Sequence, residues 1–387
     1  MENRPNYQLS LAPAESLPYA SPQMPGPAQP LTRRKLTWPA VFALYLLSPF
    51  IAEMLTGSTP PLRWNNPVGI ILTTGLYGSG AILARELVRR RRLGWGNLAL
   101  LGAAYGVLEE GMSFQSWFNP TWTPPADRLR FFEVNWTFAL AFTTIHVALS
   151  ILSSVIVAEA FFPQLADRPW LSQRGFVGFT IWLGAVVAWL FFTYGFLLYH
   201  GKGYDHPPVS YLIALLLFVL FLALGLRRSH PGATTPDVIA HPAPRLWVLR
   251  GLSFTVALVF FVNLFFLRVL VPAPLVFTPI IIMTGIDLLG ILLVRSFSKR
   301  SGWGMVHRLA LTSGVLGFFI AISPFLEFKV HDSGITPVNL FVLGGLMWLA
   351  RRTASFEAER STRIAEGGTT GRSQLSEASV PRNIRAD

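Results

Sequence analysis

The run WTFALAFTTIHVALSILSSVIVAEAFF, residues 136–162, decides the fold, because along its whole length only His146 and Glu159 can carry a charge. A helix needs about 20 mostly apolar residues to cross a bilayer, so this run reads as a membrane span. Outward from it, similar runs occupy 37–56, 67–88, 95–118, 176–199, 207–226, 246–270, 275–295, 306–326 and 336–350. The composition agrees: 52% of residues are hydrophobic and 13% charged, against roughly 25% charged in soluble domains, and the mean hydropathy is +0.46. The expected architecture is an all-α polytopic bundle of about ten spans over residues 37–350. The last run is short for a crossing and reads as a tilted, re-entrant or protein-buried segment.

Residues 1–36 and 351–387 are expected to be disordered tails. The first 32 residues hold seven prolines and no basic-then-apolar start, so they read as a tail rather than a signal peptide, and the first span is expected to be an uncleaved anchor. The other tail mixes Arg, Glu, Ser, Thr and Gly without apolar periodicity.

Positive charge sets the expected orientation. Of the 32 Lys and Arg, 26 fall at alternate span ends or in the tails, and six (Arg63, Arg128, Arg130, Lys202, Arg268 and Lys329) fall on the other side. Positive charge concentrates in cytoplasmic loops, so both termini are expected in the cytoplasm of a cell-membrane protein. The net charge of +12 is then topological. Its clusters lack an exposed aromatic platform, which excludes nucleic acid as a partner and points to the bilayer and its anionic lipid headgroups. The absence of cysteine excludes disulfides, thiolate nucleophiles and thiolate metal sites. No metalloprotease His-Glu-x-x-His, phosphate loop or dinucleotide fingerprint occurs, and the residues name no cofactor and no metal site.

Arg92-Leu93-Gly94-Trp95-Gly96 returns as Arg300-Ser301-Gly302-Trp303-Gly304, and the same offset aligns 106–108 with 314–316. Both copies read as interfacial turns. Only the first continues into Glu109-Glu110, so building the hairpin does not require the acidic pair.

An ionisable group within a membrane costs about 2.5 kcal/mol or more and asks for a partner, a water cavity or a role. Glu86 reads as solvated pairing with the arginines one turn away, and Glu159 and Glu327 as groups reaching headgroups. Glu53 reads the same way near the far surface. Glu109 and Glu110 differ, because consecutive helical side chains point about 100° apart and cannot both face lipid cheaply. With the third helix running to Phe118, Glu110 lies ~12 Å deep, and His146 lies ~15 Å along the fourth helix. The two are expected to meet. Thr143, His146, Ser150 and Ser153 or Ser154 form one polar stripe at helical spacing, and a carboxylate beside an imidazole is what a general base needs.

Glu109-Glu110, then Phe142-Thr143-Thr144-Ile145-His146, then His200 follow the order of the Glu-Glu-x-x-x-Arg, Phe-x-x-x-His and His-x-x-x-Asn/Asp motifs of the CAAX-protease and bacteriocin-processing family of intramembrane proteases, which residues 95–206 resemble. The resemblance implies that Glu109 or Glu110 activates water, His146 assists, and His200 holds the oxyanion or the water. Phe114 stands where that family has arginine, and Tyr204 where it has Asn or Asp, with Asp205 one residue late.

A second reading is a proton-coupled carrier or channel. Asp287 lies near the bilayer midplane with no basic residue within a turn, and His146 and Asn263 are its candidate partners. A third is a scaffold whose polar groups only join helices. His200, Asp205 and His206 read as plain loop residues rather than zinc ligands.

Overall fold

The computed structural model describes residues 37–120, 130–198, 208–228, 239–267, 270, 272, 275–329 and 333–377. The expected tail at 1–36 lies outside them, as do residues 378–387. Ten helices follow the apolar runs. They are α1 Thr37–Leu55, α2 Pro67–Arg91, α3 at 95–113, α4 Trp136–Phe161, α5 Gln173–Leu198, α6 Pro208–Leu226, α7 Leu246–Phe266, α8 Thr278–Phe297, α9 Met305–Lys329 and α10 Ile335–Glu377. All but α3 and α10 are long and apolar enough throughout to cross a membrane; α3 carries the acidic pair, and α10 joins an apolar start to a charged continuation. Among the described residues, strands are confined to two small pairs, antiparallel Arg130–Phe131 with Val134–Asn135 and parallel Ile239–Pro242 with Arg300–Ser301.

Local chemistry sets the helix starts. Asn66 accepts from the Val68 N–H ahead of Pro67, Asn135 from the Phe138 N–H, and Ser172 from the Gly175 N–H, each satisfying a donor the helix leaves free. Arg92 ends α2 in the left-handed region at φ 55°.

α4 lies at the centre, touching α1, α2, α3, α8, α9 and α10. One apolar core, including Leu44, Leu76, Ala81, Leu98 and Ile151, joins α1 to α4 and extends to α5 through Val186. A second, including Ile51, Leu149, Ile156, Leu316 and Leu349, joins α1 and α4 to α7, α9 and α10. α6 packs along α3, and α5 and α8 present most of their surface outward. Gly102 and Gly106 bring α3 onto α4: a Cβ added at Gly106 would stand 3.1 Å from the Thr143 Cα and 3.2 Å from the His146 Cβ.

Three expectations change. α3 ends at Ser113 rather than Phe118; the chain turns at Gln115 (φ 58°) and residues 115–119 tuck inward as a buried segment, held where the Asn135 N–H donates to the Trp117 carbonyl at 2.9 Å. The last run is one continuous helix, and it carries on past Ala350 to Glu377 through residues expected to be disordered. Its Glu357 carboxylate accepts from the Met305 N–H at 2.5 Å, which ties the continuation to the start of α9.

The acids also differ from expectation. Glu86 is buried, accepting from Arg90 Nε at 3.0 Å and from the Trp170 and Leu171 N–H groups at 2.9 and 3.0 Å. Glu159 is buried too, taking Arg85 Nε at 2.9 Å and Arg89 Nη2 at 2.7 Å. Arg85 also donates to the Leu165, Ala166 and Arg168 carbonyls and lies 3.4 Å over the Trp170 ring. Neither acid is solvated, because the 163–172 connection folds back over the basic end and covers both. Glu327 accepts from the N–H groups of Ser333, Gly334 and Thr336 and so caps the start of α10.

Candidate functional site

Four helices loosen into π-helical turns at the same place. Phe50–Leu55 in α1, Thr74–Gly78 in α2, Val107–Ser113 in α3 and His146–Ser153 in α4 hold, in order, Glu53, Tyr77, the Glu109–Glu110 pair and His146. Such turns are frequent at functional sites; two others, Thr193–Leu198 and Asn263–Leu267, lie elsewhere. Ser113 and Ser154 reinforce them by donating to the carbonyls five residues back, Leu108 and Leu149, at 2.8 and 2.9 Å.

The turns bring both acids onto one imidazole. His146 Nε2 lies 3.0 Å from Glu110 Oε1, and His146 Nδ1 lies 3.3 Å from Glu109 Oε2 and 3.0 Å from Ser150 Oγ. Glu109 is 0%, His146 3% and Glu110 8% exposed, so Glu110 forms the one slightly open edge of the trio. The Ser116 hydroxyl, on the tucked-in segment, donates to Glu110 Oε2 and, at 3.1 Å, to the Glu110 carbonyl. The earlier end of α3 therefore does not separate Glu110 from His146.

Two tyrosines wall the trio. The Tyr77 and Tyr105 rings lie 5.9 and 5.8 Å from the His146 ring and 6.2 Å from each other. The Tyr77 hydroxyl donates to Glu53 Oε1 at 2.5 Å, and Thr59 donates to Glu53 Oε2 at 2.7 Å. Glu53 is thus tied into the same polar chain rather than turned to the surface. The Tyr77 and Tyr105 hydroxyls face the Glu109 carboxylate, which also stands 3.3 Å from His146 Nδ1. One ligand atom from each of Glu109, Glu110 and His146 lies within 4.8 Å of the others, a spacing that admits a cation, although both His146 nitrogens already face hydrogen-bonding neighbours.

Glu109, Glu110 and His146 are thus brought together as the spacing predicts. His200, Asp205 and His206 lie outside the described residues, and so does Tyr204. Phe114 packs edge-on against Tyr194 at 4.9 Å. The residues of the carrier reading are not brought together: Asp287 accepts from Thr144 Oγ1 at 2.8 Å, Asn263 donates to the Pro279 carbonyl at 2.9 Å, and neither bonds to His146 among the described residues. Glu53, Tyr77, Tyr105 and Ser116 escape the sequence reading. Tyr105 is recoverable from it, being four residues before Glu109 and so on one helix face with it.

Residues 42–354 match the model of an uncharacterized membrane protein family. No curated protein and no solved structure matches the chain.

Proposed function

The chain belongs to that uncharacterized membrane protein family, and from this premise we propose that it is a multi-pass intramembrane hydrolase cleaving peptide bonds at Glu109, Glu110 and His146. The observation that carries the proposal is the buried His146 ring held between two carboxylates. An acid and a base within hydrogen-bond reach of each other and of a small polar guest form the minimum apparatus for activating water. Glu109 takes a proton from the water. The water oxygen bonds to the carbonyl carbon, and His146 delivers a proton to the leaving nitrogen as the C–N bond breaks. Glu110, anchored by Ser116, keeps the imidazole in place. The resemblance to the CAAX-protease and bacteriocin-processing family implies the same chemistry. It rests on the motif residues alone, since the matched family carries no described activity.

The test is cleavage of a fluorogenic peptide with an apolar stretch by the purified protein in detergent. Cleavage that disappears in both Glu109→Gln and His146→Ala supports the proposal; equal cleavage by all three proteins assigns the activity to a contaminant or another site and removes it.

The arginine and lysine asymmetry supports a reading with both termini in the cytoplasm of a cell-membrane protein and the basic clusters against anionic headgroups. Tags at the two ends should be equally protected from a protease added outside intact cells. Cleavage of one tag alone would overturn the even number of crossings.

A further inference from the structure

We propose that Tyr77 and Glu53 form a proton path between the buried trio and the water at the α1–α2 connection. Glu109 and His146 are buried, so a proton reaches them only through hydrogen-bonding neighbours. Tyr77 is a neighbour with two partners. Its hydroxyl donates to Glu53 Oε1 at 2.5 Å and also faces the Glu109 carboxylate. Glu53 stands near the end of α1, is half-buried, and accepts from Thr59 Oγ1 at 2.7 Å, next to the exposed Ser58. Carboxyl, hydroxyl and carboxyl thus form a line from the core of the bundle to its edge.

The other polar neighbours of the trio end inside the protein. Ser116 is buried and turns back onto the Glu110 carboxylate and carbonyl, and Ser150 is buried against His146. Tyr105 faces Glu109 as Tyr77 does, but its hydroxyl bonds to no second group among the described residues. Glu110, 8% exposed, is the competing outlet.

A hydroxyl both donates and accepts, so Tyr77 can bridge two carboxyl groups that hold one proton between them. The step is a paired transfer. A proton on Glu109 passes to the Tyr77 oxygen as the Tyr77 proton passes to Glu53 Oε1, leaving Tyr77 a hydroxyl, Glu109 a carboxylate and Glu53 an acid. Glu53 then gives its proton to water, and the Tyr77 O–H turns back to it. The reverse sequence brings a proton in, and the Glu109–His146 contact at 3.3 Å carries it to the imidazole. Acid and imidazole chains inside a membrane mark proton relays. Glu53 and Tyr77 act through Glu109 and touch no substrate. The path serves the trio whatever its proton is used for, so the inference does not rest on the hydrolase reading.

Exchange of the His146 ring N–H with D2O reads the path without any substrate. It is followed by NMR on the full chain in detergent, with histidines labelled at the ring nitrogens and the His146 signal identified by its absence in His146→Ala. Tyr77→Phe keeps the ring packing, and Glu53→Gln keeps the shape but cannot take a proton; each is expected to slow exchange by about tenfold or more. Tyr105→Phe removes a hydroxyl from the same carboxylate and is expected to exchange at the wild-type rate. Wild-type exchange in Tyr77→Phe, or equal slowing in Tyr105→Phe, overturns the path. Slowing in Glu110→Gln alone overturns it too, by making Glu110 the outlet. Peptide cleavage plays no part in this readout, so a protein that exchanges as expected yet cleaves nothing loses the hydrolase and keeps the path.

Discussion

Replacing His146 with alanine is expected to lower peptide turnover by about 10²–10⁴-fold, the range that a positioned acid–base group contributes. The size follows from its place, since His146 is the side chain that touches both Glu109 and Glu110 and can pass a proton from one side of the trio to the other. The substitution also leaves Glu109 and Glu110 without the imidazole that links them. Turnover and thermal unfolding measured on the same preparation separate chemistry from collapse. A folded His146→Ala protein cleaving within tenfold of wild type would end the hydrolase reading, because no other imidazole contacts Glu109 or Glu110 among the described residues.

The largest stability effect is expected at the opposite end of the bundle. Glu159→Gln keeps the shape of the side chain and removes the charge facing Arg85 and Arg89. Arg85 is 1% exposed, and its next acid, Glu86, stands 4.0 Å away and is shared with Arg90. Removing one partner of a buried pair costs about 3–5 kcal/mol, because the remaining charge stays buried without compensation. An exposed pair would cost under about 1 kcal/mol. Thermal unfolding in detergent distinguishes the two ranges, and a loss in the lower one would mean that water reaches Glu159.

The helices were legible because each depends on an apolar run that no distant residue alters: 67–88 became Pro67–Arg91, and 176–199 became Gln173–Leu198. What stayed hidden depends on contacts between distant residues. Glu86 and Glu159 looked solvated because the sequence displays only neighbours one turn away, whereas Arg85 meets Glu159 across 74 positions. The carboxyl–imidazole pairing was legible from similar depth in adjoining helices, even though α3 stops five residues early; the tucked-in segment closes over Glu110 where a longer helix was expected. Tyr77 stayed hidden because a tyrosine in an apolar run carries no charge to mark it, and Glu53 was read at the surface because its bond to Tyr77, 24 positions away, is invisible in the sequence. The fifteen residues of the last apolar run were too few to show that the helix continues, because its continuation is charged and meets α9 through Glu357.

The widened turns in α1 to α4 also bear on how such a pocket arises. A π-helical turn takes in one residue more than an α-helical one. Deleting one residue from Val107–Ser113 would close the widened turn to the common pitch with the flanking helix kept in phase, so the change in direction would fall on the turn's own residues, the acidic pair among them. For this architecture the shortest mutational route into or out of function is a one-codon gain or loss, which substitution scans do not sample.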